Sequence, residues 1–147
     1  MLSFLPQTLF RRNVFVSSIS VSPFRLVALL LGFSVMAHAN PLVYSAAEPA
    51  NGKKLVLIAS DHEYRAEETI PALARILAKH HGFETTVLFG LNAEGEIEAG
   101  ASNVPGLEAL ADADGLVIFT RFLALPPEQM KHIDAYLNRA GPVVGLR

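Results

Sequence analysis

A chain of 147 residues with no cysteine and a net charge of −2 has room for one ordinary hydrophobic core, without a disulfide framework. It offers no thiol nucleophile and no cysteine for a lipid anchor. Nor does it show the basic stripe of a nucleic-acid binder: once the leader with its three arginines is set aside, 12 Lys and Arg become 9, against 14 Asp and Glu, a net charge of −5.

Arg11, Arg12 and Arg25 are the only charged residues before position 40, and they precede the apolar stretch Leu26 to Met36 and the small-residue end Ala37-His38-Ala39. That order predicts a signal peptide over residues 1–39, cleaved after Ala39, and export of the remainder to the periplasm or the exterior. The apolar stretch is shorter than the ~20 residues that span a bilayer, so no stable membrane anchor is expected after cleavage. Residues 40–52 read as a linker, punctuated by Pro41, Pro49, Asn51 and Gly52.

From residue 53 the pattern alternates. Leu55 to Ala59 is a continuous apolar run, suited to a strand buried on both faces. Ile70, Leu73, Ala74, Leu77 and Ala78 recur at helical spacing, which predicts a helix from about Glu67 to His81 with Pro71 in its first turn and Gly82 ending it. Thr85 to Phe89 is the second strand, and a long polar connection over 90–106 follows. Leu107 and Leu110 mark a short helix, and Leu116 to Phe119 the third strand. Pro126 and Pro127 open a last helix with an apolar face of Met130, Ile133 and Leu137, leaving His132 in solvent. Pro142 to Leu146 is the fourth strand.

This alternation predicts an α/β fold of the flavodoxin-like, three-layer kind, with a parallel sheet in the order 2-1-3-4 and helices on both faces. The fourth strand is left as an open apolar edge, so residues 53–147 are expected to be the N-terminal part of a longer domain, incomplete at its C-terminus. Ligands of such sheets bind beyond the carboxyl ends of the strands, where the order reverses. Asp61, His62, Glu63, Tyr64 and Arg65 follow the first strand, Arg121 the third and Arg147 the fourth, so the topology gathers them at one edge.

Each has a plain structural reading beside the functional one. Asp61 can cap the turn through its backbone hydrogen-bonding ability, and it can do so while serving a site. Arg65 and Glu67 can pair on the surface. Arg121 is either a ligand-binding cation or the partner of an ion pair with the Asp61 loop. Arg147 is either a substrate contact or simply exposed. His62 and Glu63 suit acid–base work or metal ligation. The zinc-protease pattern fails because Ala66 stands where the second histidine is needed. Glu94, Glu96 and Glu98 lack the spacing of a calcium loop, and no dinucleotide, phosphate-loop or serine-hydrolase motif occurs. No cofactor and no dedicated metal site is assigned from these motifs. His80 and His81 fall in the last helical turn, where they favour the negative end of the dipole.

The run Lys53 to Arg65 with its Asp-His-Glu-Tyr-Arg end, together with Phe119-Thr120-Arg121-Phe122 and Val143-Val144-Gly145-Leu146-Arg147, resembles the exported ThuA-like (trehalose-utilisation) domains over about residues 53–147. The resemblance implies a fold related to class I glutamine amidotransferases and a link to disaccharide use through oxidised keto-sugar intermediates. It carries Asp61, His62, Glu63 and Arg65 over as first-loop site residues, with Arg121 and Arg147 facing them. The chain departs from amidotransferases in lacking the nucleophilic cysteine, so glutaminase activity is not implied. The expected function is an exported domain acting on a small carbohydrate, with His62 and Glu63 or Asp61 moving protons and Tyr64, Arg65, Arg121 and Arg147 holding the substrate. The alternative is a non-catalytic carbohydrate-binding or interaction module of the same fold.

Overall fold

The hydrogen-bonding capacity of Lys54–Ser60 (β2) is spent on both sides, and this places it in the middle of a sheet. The computed structural model describes residues 41–147; the expected signal peptide and its cleavage point after Ala39 lie outside the described residues. β2 pairs in parallel with Glu84–Phe89 (β3) on one side and with Gly115–Thr120 (β4) on the other. Val143–Gly145 (β5) extends the sheet in parallel beyond β4, and Leu42–Tyr44 (β1) adds an antiparallel edge beyond β3. The sheet is thus five-stranded and mixed, in the order β1-β3-β2-β4-β5. This corrects the expected four-strand, all-parallel order by one antiparallel edge; the four parallel strands run β3-β2-β4-β5.

The added strand also corrects the reading of residues 40–52 as a mere linker. β1 lies in it, and the rest is tied to the helix Ala66–His81 (α1): Ala47 donates its backbone N–H to Ala78, and Asn51 bonds the carbonyls of Gly82 through its main chain and of His81 through its amide. Leu42 and Val43 are exposed, so no apolar period marks β1; its backbone pairing with β3 makes the strand, and Tyr44 alone of its side chains packs against the core.

The run Val56 to Ala59 is apolar throughout because each face of β2 meets its own core. Val56 and Ile58 pack with Leu88, Leu107, Leu110, Leu116, Ile133 and Tyr136 on one side. Leu57 and Ala59 pack with Ala66, Ile70, Ala74, Val87 and Val117 on the other. α1 supplies this second face with Ala66, Ile70, Ala74 and Ala78, a four-residue period whose small side chains let the helix lie close to the sheet. Glu67 and Glu68 sit in its positive first turn, and Lys79, His80 and His81 in its negative last one. Gly82 caps it at φ 68°, and a β-carbon there would lie 2.5 Å from the carbonyl oxygen of Pro49. The buried Thr85 hydroxyl donates to the Ala74 carbonyl at 3.2 Å and fastens α1 to β3.

The second helix, Pro127–Asn138 (α2), covers the first face but not with the expected stripe. Ile133 and Tyr136 are buried, whereas Met130 is 39 % and Leu137 50 % exposed, and His132 is half-buried rather than solvated. Tyr136 takes the inward place because its phenol satisfies itself, donating to the Pro142 carbonyl at 2.7 Å. Arg139 stacks on the same ring at 4.8 Å and donates to the Leu110 and Ala113 carbonyls, which locks α2 to the 3₁₀ turn Leu107–Ala111. Among the described residues, no helix is long and apolar enough to cross a membrane.

Candidate functional site

In the register of the two central strands Ser60 stands beside Thr120, so the turn leaving β2 and the loop leaving β4 start side by side. The first of these is built around Asp61. The residue is only 3 % exposed, and its Oδ1 accepts the backbone N–H groups of Glu63 at 2.7 Å and Tyr64 at 2.8 Å. Burial alone would raise its pKa, but those two N–H donors, with the charges of His62 and Arg121, outweigh it and hold the group below the ordinary 3.8. Asp61 is therefore a fixed anion at neutral pH. The turn ends at Arg65, which takes the left-handed φ of 51° and accepts from the first turn of α1 through its carbonyl.

That left-handed turn decides where the Arg65 side chain goes. It pairs with Glu68 and approaches Glu67 at 3.8 Å along α1, and it does not line the cleft. Asp61, Tyr64, Arg121 and Arg147 do line it, with Thr120 completing the polar wall and Phe122 and Leu146 supplying apolar surface. The cleft holds about 360 Å³. Tyr64 is supported by the Phe119 ring, nearly parallel to it with centroids 6.3 Å apart.

Glu63 and His62 stand on the exposed side of the same turn. The Glu63 carboxylate accepts from the Arg121 guanidinium, an ion pair that crosses from the first loop to the second. His62 Nε2 lies 3.9 Å from the other Glu63 oxygen. The imidazole thus stands near a carboxylate that is itself held by an arginine, beyond direct hydrogen-bond distance from it, and the cluster can orient an anionic or hydroxyl-rich group.

Residues that sequence reasoning did not single out support this arrangement. The buried Ser60 hydroxyl donates to the Ala101 carbonyl at 2.5 Å and pins the long 90–106 connection behind the first loop. Gly100, at φ 79°, backs onto His62, and a β-carbon there would come within 2.8 Å of the His62 β-carbon. Glu94, Glu96 and Glu98 are exposed on that connection, where Asn92 Oδ1 accepts the N–H groups of Glu94 and Glu96 in a local turn. Phe122 is the largest omission. A lone aromatic outside any periodic stretch carries no positional signal beyond standing next to Arg121. Among the described residues, no three His, Asp or Glu side chains gather as a metal site.

Comparison with known proteins finds no family model that matches the chain, and no curated protein or solved structure that matches it either.

Proposed function

We propose that the chain carries an exported ThuA-like domain, of flavodoxin-like and class I glutamine amidotransferase-like build, that acts on a sugar or keto-sugar derivative. The observation that supports this reading is the meeting of the Asp61–Tyr64 turn with Arg121 and Arg147 around one cleft, whose ~360 Å³ falls within the roughly 300–1,000 Å³ of small-molecule sites. His62 and Glu63 are the proton-moving pair, within 3.9 Å of each other. Asp61, ionised and bonded to two backbone N–H groups, keeps the turn in shape and adds negative charge beside His62. Arg121, Arg147 and Tyr64 bind the substrate's oxygens. The Glu63–Arg121 pair also favours a second reading, a carbohydrate-binding module without catalysis, because it engages the carboxylate that would otherwise be the free base.

The test is a titration of the full chain with mono- and disaccharides and their keto derivatives, followed by turnover assays on those that bind. His62→Ala and Glu63→Ala are expected to abolish turnover while leaving thermal stability nearly unchanged, since exposed positions of this kind stay within about 0.5 kcal/mol. Arg121→Ala is expected to weaken binding first. Binding without turnover in the unmodified chain would select the module; no binding of any sugar would reject both readings.

A further inference from the structure

Phe122 is 82 % exposed, far more than any other large apolar side chain among the described residues, and it lines the cleft. Its backbone takes the left-handed φ of 56°, a conformation that a bulky residue adopts at a cost and that surroundings must hold in place. Packing does not explain it, because so exposed a ring buries almost nothing. Nor does the turn need a phenyl group, since glycine would adopt this φ without strain. The ring's neighbours are polar: the Arg121 guanidinium lies 5.3 Å from its centroid and the His62 ring 5.9 Å away, tilted by 33°.

A pyranose ring has two kinds of surface, an apolar face of C–H groups and a rim of hydroxyls. The cleft offers a match for both. Arg121, Arg147, Thr120 and Asp61 supply donors and acceptors for a rim, and Phe122 supplies a flat apolar ring beside them, near Arg121 and His62. An aromatic face displayed next to hydrogen-bonding groups gains from burying apolar C–H surface when a ligand covers it, and a phenyl ring has only two side-chain torsions to fix. We infer that Phe122 is the stacking platform of this site and makes it selective for cyclic sugars over open-chain polyols. The inference rests on the carbohydrate reading of the cleft, and it adds the ring form of the substrate and the residue that reads it.

Calorimetric titration of the full chain with a series of methyl pyranosides and with glucitol, an open-chain polyol, tests the platform directly. The unmodified chain is expected to bind a pyranoside more tightly than glucitol. Phe122→Ala is expected to weaken pyranoside binding about tenfold, as loss of a stacked ring does, and to leave glucitol binding within about twofold. Phe122→Trp is expected to restore the preference. Phe122→Gly is expected to melt no earlier than the unmodified chain while binding pyranosides as weakly as the alanine variant, which would show that the ring serves the ligand and not the fold. If the unmodified chain binds pyranosides and Phe122→Ala binds them equally well, the platform is wrong and the carbohydrate reading stands. If Phe122→Ala loses pyranoside and glucitol alike, the ring acts by positioning Arg121, and the platform is again wrong. If the unmodified chain binds neither, the carbohydrate reading fails and takes the platform with it.

Discussion

The two loops that form the cleft leave adjacent strands at matched positions, yet they are built in opposite ways. The turn after β2 is satisfied from within: the Asp61 carboxylate holds the N–H groups of Glu63 and Tyr64, and the Arg65 carbonyl holds those of Glu68 and Thr69. The loop after β4 leans on a neighbour instead, with Ala124 donating its N–H to the Ser102 hydroxyl of the 90–106 connection, while Phe122 projects into solvent. Polar residues in the first loop therefore divide between scaffold and chemistry, and Asp61 is mostly scaffold. The second loop holds its displayed groups by contacts made elsewhere. A crevice between such loops has one rigid wall and one wall whose position depends on its neighbours.

The broadest way to break the comparison is to remove what both loops share. Leu57, in the middle of β2, is fully buried, and Leu57→Ala is expected to cost about 2–5 kcal/mol, measured as a lower urea midpoint, and to lower any activity only through unfolding. A smaller effect should separate the loops. Asp61→Ala strips the first turn of its acceptor and is expected to cost about 0.5–2 kcal/mol, in the range of a lost cap. Asp61→Asn keeps an acceptor oxygen and is expected to cost less. The pH dependence follows from the sign of the shift. Asp61 is held below 3.8 in the folded chain, so its contribution is complete above that value and is lost as pH falls through the lower folded value. Urea midpoints followed down to about pH 2 should fall more gently for Asp61→Asn than for the unmodified chain. A parallel fall in both would mean that Asp61 is not the carboxylate responsible.

The central strands and α1 were legible because burial on two faces leaves a continuous apolar run, and Ala74 and Ala78 repeat the Ile70 spacing on one helical stripe. β1 was not, since Leu42 and Val43 face water, Tyr44 alone packs on the core, and the backbone bonds to β3 define it. α2 was misread for a different reason. Hydropathy ranks Met130 and Leu137 above Tyr136, but a tyrosine whose hydroxyl reaches the Pro142 carbonyl can be buried at no polar cost, and its ring fills more of the core. At the cleft, strand-end position was enough to find Asp61, Tyr64, Arg121 and Arg147. It failed for Arg65, because one left-handed residue turns that side chain onto α1, and backbone handedness at a non-glycine residue leaves no mark in sequence. Phe122 was missed because an exposed aromatic looks the same in sequence as a buried one.

The smallest effect should come from the contact that joins the loops. Glu63 and Arg121 pair across the cleft, but their side chains are 44 % and 37 % exposed, so water screens much of the attraction and holding two long side chains costs entropy. A double-mutant cycle of Glu63→Gln and Arg121→Gln, read by urea unfolding at low salt, is expected to give a coupling of about 0.2–1 kcal/mol. Salt should weaken it further, because the Debye length shrinks to ~3 Å at 1 M. A coupling that weak can yield when an anionic or hydroxyl-rich ligand competes for Arg121, releasing the Glu63 carboxylate beside His62 as the ligand binds. A coupling well above this range that persists at high salt would instead make the two loops one rigid wall. Arg121 would then be a strut, and ligand binding would have to proceed without separating the pair.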